Sequence, residues 1–517
     1  LLVAAGIFLS RISGLVRQKV LAHYLGSTDA ADALNAAFRI PNLLQNLFGE
    51  GALSASFIPV YSALLAKGRR EDADRVAGAI GAMLALCMSV LVAVGVAAAP
   101  WLVTVIAPGF SGAKHLLAIQ LVRIIFPGIG LLVLSAWCLG ILNSHRKFLL
   151  SYAAPVVWNF AQIALVIAYR EAASVDAMAT AAAWGSVVGA GLQVAVQLPS
   201  VLRSAPSLRL TLGWANPEVR SIVVNFGPAI LGRGVMQVSA YVDAVLASLL
   251  PTGAVALFGY AQVLYTLPVS LFGMAVSAAE LPAMSAAVGT DAQISLQLRA
   301  KIDGGLRRIA FFVVPSAAAF VFLGDVIAAG LFQSGRFTHD DAVKVWATLA
   351  GGSVGLLAQT WGRLYSSTFY ALKDTRTPLQ YAVIRVVLTT VFGWLCSIPL
   401  PHWLGVDAMW GLAGLTGSAG IAGWIEYALL KRTIDARIGE TGLPWTVTAR
   451  LWAAAIGGAA VAWAVRWALP PVHPIAAAVV LCGGFGVTYL ALAAAFGFDE
   501  VRGIASRVTA RLRRKRG

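Results

Sequence analysis

The sequence predicts an all-α polytopic membrane protein with about fourteen transmembrane helices. Three observations carry that prediction. The chain of 517 residues is 59% hydrophobic and only 12% charged, with a mean hydropathy of +0.79, where a soluble domain is about 25% charged. Apolar runs of the roughly 20 residues that a bilayer crossing needs recur along the chain. These runs do not alternate apolar and polar positions, as "AIGAMLALCMSVLVAVGVAAAPWL" illustrates, so a closed β-barrel is excluded in favour of helices.

The spans are expected at 1–25, 30–65, 74–107, 114–141, 147–169, 175–201, 217–249, 253–287, 301–332, 340–372, 377–399, 404–430, 447–469 and 473–497. Loop charge supports this count. Alternate connections such as "KGRREDADR", "NSHRK", "QLRAKIDGGLRR" and "KRTIDAR", together with the tail "RVTARLRRKRG", are basic. The intervening connections, such as "GSTDA", "REAASVD" and "LPTG", are neutral or acidic. Excess Lys and Arg marks cytoplasmic loops, which places both termini inside. The net charge of +16 is therefore read as contact with anionic lipid headgroups, not with nucleic acid. The sequence opens in apolar residues without Met, which reads as a few residues missing from the start, and no cleavable signal peptide is expected.

A repeat is expected within the first twelve spans. "SASFIPVYS" from Ser54 matches "SAAELPAMS" from Ser277, and "LNSHRKF" from Leu142 matches "LKDTRTP" from Leu372, at offsets of 223 and 230. Six spans is an even number, so both halves keep one orientation. Parallel repeats of this kind are found in secondary transporters. The last two spans fall outside the repeat.

Polar residues inside the spans mark the functional region. In the second span Asp32, Asn35, Arg39, Asn42 and Asn46 step by 3, 4, 3 and 4, and Glu50 lies four residues further on. Such spacing is one face of a helix. A charge at the bilayer centre costs about 2.5–3.5 kcal/mol on insertion scales, so the stripe is expected to line a hydrated cavity rather than a dry helix contact. A hinge is expected at the Gly49–Gly51 segment. The first span contributes Arg11 and Arg17. Arg233 and Gln237 step by four along the seventh span, near Asp243, and Arg363 lies on a polar stripe of the tenth. Arg123 and Arg385 are further cations within spans. Arginines outnumber acids at these positions. That composition suits an anion, because the guanidinium fork matches phosphate oxygens. No P-loop and no Ser/His/Asp or HExxH spacing is present, so the chain reads as a transporter and not an enzyme. Its energy would come from an ion gradient or the membrane potential, and no cofactor is expected.

The segments "SRISGLVRQ", "TDAADALNAAFRIPNLL", "GEGALSASFIPVY" and "FYALKDTRTP" closely resemble the MurJ (MviN) family of lipid II flippases, within the MOP transporter superfamily. The resemblance covers essentially the whole chain. It implies two six-helix lobes, 1–203 and 204–432, around a cationic cavity. It also implies two extra C-terminal helices at 433–497 that form a lipid-tail groove, and a basic cytoplasmic tail at 498–517. The implied substrate is an undecaprenyl-diphosphate-linked peptidoglycan precursor, moved from the inner to the outer leaflet of the bacterial cytoplasmic membrane by alternating access. The implied partners are that lipid, membrane lipids and cell-wall synthesis proteins, with the flippase itself a monomer.

By motif position Arg11, Arg17, Asp32, Arg39 and Glu50 carry over from the family. Asp243, Asp374 and Thr390 sit where some members bind a cation, which implies coupling to Na+ or H+. Two departures stand out. Gln45-Asn46 follows "PNLL" where many members have a basic pair, and Gln262-Val263 follows "YA" where Asp-Arg is frequent. Arg233 is expected to stand in for one missing cation, completing a diphosphate site with Arg11, Arg17 and Arg39. The alternatives are a flippase for another lipid-linked oligosaccharide, a MATE-like multidrug exporter and a non-transporting scaffold. An exporter of cationic drugs calls for more carboxylates than arginines, and a scaffold has no use for polar stripes in both halves.

Overall fold

The computed structural model describes residues 2–171, 174–286 and 290–501, with the backbone alone at residues 2–5, 7, 41, 50–52, 55, 151, 152, 228, 229, 231–240 and 291. Among the described residues the regular structure is helical, and nine helices are long and apolar enough to cross a membrane. Helices Leu2–Leu25, Pro217–Ser248 and His339–Ala371 are as long but carry polar residues singled out above, and helix Gly411–Ile438, also as long, carries Glu426 near its middle. Apolar side chains such as Val479 and Val487 stand exposed on the helix Pro474–Ala495, as a lipid-facing surface requires.

The chain divides into two compact units. Unit 1 holds residues Leu1–Ala256 with Ser334–Phe337, and unit 2 holds Leu257–Gln333 with Thr338–Gly517. The helix Pro217–Ser248, which the sequence reading assigned to the second lobe, belongs by its contacts to unit 1.

The second expected span is broken into pieces. It comprises Asp29–Ala37, Arg39–Leu44, a π-helical turn Gln45–Gly51 and Ala52–Ala66. Pro41 lacks an N–H and Gly49 and Gly51 are weak helix formers, so the regular hydrogen-bond ladder fails there. The eighth span is interrupted in the same way by the π-helical turn Val269–Met274. Adding the repeat offset of 223 to Gly51 gives Met274, so both interruptions precede the repeated motif at the same place. A second shared detail supports the repeat. Among the described residues Arg146 and Lys373 are the non-glycine positions with positive φ, at 59° and 61°. Each ends a long helix in the same turn. Lys147 N–H bonds Leu142 C=O at 2.8 Å, and Asp374 N–H bonds Phe369 C=O at 2.9 Å. This closure satisfies the last helical carbonyls and normally takes Gly.

Within each unit the helices approach closely through small residues, since apolar side chains gain little by leaving lipid. In unit 1 a Cβ on Gly189 would lie 2.8 Å from Trp158 O. In unit 2 a Cβ on Gly355 would lie 2.3 Å from Gly420 Cα, where helices His339–Ala371 and Gly411–Ile438 cross. Indole N–H groups tie neighbouring helices, with Trp361 donating to Leu306 O at 3.1 Å and Trp424 to Val354 O at 2.7 Å.

The crossing at Gly355 has no room for a side chain. Gly355→Val should destabilise the protein by about 1–3 kcal/mol through overpacking, read as a fall in the thermal unfolding midpoint in detergent. Gly484→Val, where a Cβ meets nothing within 4 Å, should leave the midpoint nearly unchanged.

Candidate anion site and its gate

Helix Leu2–Leu25 is fixed against helix Phe148–Ala168 by a polar contact. Asn159 Nδ2 donates to Ser13 Oγ at 2.9 Å, and Ser13 Oγ donates to Ser10 O at 2.9 Å. One turn further, the Arg17 guanidinium lies over the Trp158 ring, 4.6 Å from its centroid. The indole is itself held by its N–H bond to Ser186 O at 3.0 Å. No carboxylate pairs with Arg17 among the described residues, and its Nε is buried without a hydrogen-bond partner. A stacked, unneutralised guanidinium keeps its donors for an anion. Arg11, on the same helix, is exposed.

The broken second span also comes up to Trp158. Phe38, Asn42 and Gln45 line a crevice with Trp158 and Ser186. Its volume is about 10 Å³, room for about one water. Asn42 and Asn46 are exposed and Arg39 is half-buried, so these three remain on a wettable face. Tyr241 Oη donates to Arg39 O at 2.7 Å, and Asp243 lies within electrostatic reach of Arg39. Arg17 and the crevice of Asn42 and Gln45 share Trp158, and Arg39 lies in the same unit.

Asp32 and Asn35 are placed differently from the sequence expectation. The helix breaks at Phe38, so the single stripe from Asp32 to Asn46 is divided. Asn35 is half-buried and donates to Ala31 O at 2.9 Å. Asp32 is 1% exposed and its carboxylate is fully engaged. It accepts from Lys114 Nζ at 2.5 Å, Gly253 N–H at 2.8 Å and Ala256 N–H at 2.8 Å. Lys114 also reaches Asp29 at 3.0 Å, and Thr252 Oγ1 donates to Asp29 Oδ1 at 2.9 Å. Asp32 therefore does not line a cavity. It caps the start of the helix beginning at Ala254 and clamps three segments together. Lys114 carries no local signal of this role, because its partners Asp32 and Asp29 lie 82 and 85 positions away in the chain.

Arg233, Gln237 and Glu50 lie outside the described side chains. In unit 2 Arg363 is exposed, and it lies within electrostatic reach of Arg385 and Glu426. Of the expected cation ligands, Asp374 and Thr390, both in unit 2, are far apart. Asp374 lies in the loop before helix Arg376–Ser397, with Oδ1 accepting the Arg376 and Thr377 amides at 3.1 and 3.0 Å. Its Oδ2 accepts from Thr377 Oγ1 and Arg437 Nη2, each at 2.8 Å. Thr390 sits about 21 Å further along that helix at 1.5 Å per residue, its hydroxyl donating to Val386 O at 2.8 Å. Among the described residues no group of three or more His, Cys, Asp or Glu is placed to hold a metal ion.

Comparison with known proteins follows the same lines. A family model described as lipid II flippase MurJ matches residues 21–472. A lipid II flippase MurJ from Burkholderia cenocepacia is 32% identical over 428 residues, covering 82% of this chain and 80% of its own. A probable lipid II flippase MurJ from Rhizobium meliloti is 30% identical over 528 residues, covering 98% and 94%. Among solved structures, a lipid II flippase MurJ in an inward closed conformation matches with a TM-score of 0.76 at 22% identity, covering 96% of this chain and 98% of that one. An inward-facing multidrug resistance MATE transporter of the MOP superfamily matches with a TM-score of 0.65 at 17% identity, covering 83% and 95%. At these identities both structures speak for the fold alone.

Two outcomes are expected from the geometry. Lys114→Met leaves the Asp32 carboxylate buried without its cation and should cost about 3–5 kcal/mol. The double variant Asp32→Asn/Lys114→Met should cost less than the sum of the two single changes, measured as a thermal double-mutant cycle. At Asp374 the Thr377 amide and hydroxyl, and then Arg437, lower the carboxyl pKa from 3.8 to about 2. A depressed folded pKa stabilises fully above the unfolded value and is lost as pH falls through the folded one. The midpoint difference between the parent chain and Asp374→Asn should therefore be constant above pH 5 and shrink between pH 4 and pH 2.

Proposed function

The chain belongs to the lipid II flippase MurJ family, and from that premise we propose that it moves lipid II, or a closely similar polyprenyl-diphosphate glycolipid, from the inner to the outer leaflet by alternating access. It is a multi-pass protein of the bacterial inner membrane, with nine helices among the described residues apolar enough to cross. The four longer polar helices and the broken second span complete fourteen crossings in our reading, with both termini in the cytoplasm.

The observation that carries the proposal is Arg17 stacked on Trp158 with no acid beside it. A diphosphate offers several anionic oxygens, and a preformed cation that needs no partner exchange binds them at low reorganisation cost. Arg11, Arg17 and Arg39 are the proposed diphosphate ligands, with Arg233 as a fourth, and Asn42 and Asn46 as neutral donors. The π-helical turn Gln45–Gly51 is the proposed hinge, and the Asp32–Lys114 clamp the proposed gate element. Energy would come from the membrane potential or from a monovalent cation, Na+ or H+. The protein is taken to act as a monomer, in the company of cell-wall synthesis proteins.

One observation favours a second reading, a flippase for a different lipid-linked oligosaccharide. Gln45, which replaces an expected cation, lines the crevice beside Trp158, so it changes the charge next to the proposed diphosphate ligands. The multidrug alternative rests on fold alone.

Expression of the chain in cells depleted of their own lipid II flippase tests the proposal. Growth should be rescued, and Arg11→Ala or Arg17→Ala should abolish rescue at unchanged membrane level. Absence of rescue by the well-expressed parent chain would favour the second reading, and undiminished rescue by Arg17→Ala would overturn the diphosphate site.

A further inference from the structure

Unit 2 holds three charged side chains that come from three helices and meet well inside the bundle. Helix His339–Ala371 supplies Arg363, helix Arg376–Ser397 supplies Arg385, and helix Gly411–Ile438 supplies Glu426. The first two helices hardly touch each other and both pack on the third. By residue count at 1.5 Å per residue, Glu426 is about 22 Å from one end of its helix and about 18 Å from the other. Arg385 Nε lies 3.3 Å from Glu426 Oε2, with the two side chains 21% and 14% exposed. Arg363 lies within electrostatic reach of both, together with Tyr265 of helix Ala254–Pro268, and Tyr370 also faces Glu426.

Two features separate this cluster from packing glue. A buried ion pair adds little stability over apolar residues of the same volume and persists best with tight hydrogen bonding. Here Arg385 Nε is buried without a hydrogen-bond partner despite the 3.3 Å approach, so the pairing is loose. The charges also do not cancel: two guanidinium groups face one carboxylate. Arg363 is itself exposed and lies within electrostatic reach of Arg385 and Glu426. Glu280 and Arg308, by contrast, form a one-to-one pair at 2.9 Å in the same unit.

We propose that Arg363 and Arg385 form a second anion site, specific for a diphosphate-type group, in which Glu426 is the resident counter-ion and is displaced when the ligand binds. Two guanidinium forks present donors to a tetrahedral, multiply charged group, and the carboxylate neutralises one of them when the site is empty. The site rests on the flippase reading for its substrate class, and would give the diphosphate a second station after the one in unit 1. It also supplies, from different helices, cationic charge that Val263 does not.

The test uses the full chain in nanodiscs, in an Arg11→Ala/Arg17→Ala background that removes the unit 1 site. Farnesyl diphosphate is titrated against tryptophan fluorescence, since Trp424 lies two residues from Glu426. Glu426→Gln should tighten binding by about tenfold, the scale of one charged contact. Arg363→Gln and Arg385→Gln should each weaken it by a similar factor. Unchanged or weaker binding in Glu426→Gln would overturn the proposal. If Glu426→Gln does not fold, the exposed Arg363→Gln decides: unchanged affinity at an unchanged unfolding midpoint overturns the site. Inorganic pyrophosphate and phosphatidylglycerol vesicles are the comparison probes. Binding of farnesyl diphosphate well above both supports a lipid-linked diphosphate, while equal binding of either comparison probe overturns that specificity. Loss of this site with intact rescue in the depleted cells would sink the second station and leave the flippase reading standing.

Discussion

The cost of holding a charge away from water orders the polar residues of this chain. A lone ion in an apolar interior is so unfavourable that it must be paired, hydrogen-bonded or wetted. Asp32 takes the first two routes, with one ammonium and two amides around a carboxylate that water does not reach. Glu280 pairs with Arg308, and Asp325 with Arg466 at 2.8 Å. Arg17 is held differently, on an aromatic face and without an acid. Compensated charges hold helices together, and uncompensated arginines are where an anionic ligand gains most.

Backbone irregularity is placed with the same economy. In lipid every peptide group needs a partner, so a helix can open only where water or protein supplies one. Both π-helical turns lie at matching positions of the repeat, Gln45–Gly51 and Val269–Met274. π-turns concentrate at functional sites because they widen the helix and re-aim its side chains. The first of them carries the neutral side chains of Gln45 and Asn46. The fold itself is shared with MATE transporters, so substrate class is decided by which charges face inward rather than by the helical frame.

Much was legible from residue order. Helix extents follow apolar run lengths, and the break near Gly49–Gly51 follows from Pro and Gly chemistry. The repeat seen in two short motifs reappears as paired π-turns and as the left-handed caps at Arg146 and Lys373. Arg17 was readable as a cation within the first span. Its stacking partner was not, because Trp158 is one of fifteen tryptophans and nothing local marks it. Asp32 looked like part of a stripe because helical periodicity assumes an unbroken helix. Glu426 carried no signal, being a single acid in a span whose partners are 41 and 63 positions away.

The sequence by itself determined that this chain is a helical membrane protein of a flippase family with arginines inside its spans. Those properties depend on composition, run length and local motif, which are additive along the chain. Tertiary structure alone decided which charges are spent on one another. Asp32 is closed off by Lys114, Asp374 is consumed by Thr377 and Arg437, and Glu426 holds Arg385 loosely while Arg17 is left open. Pairing acts over a few ångströms between residues far apart in the chain, so it exists only once the helices are packed.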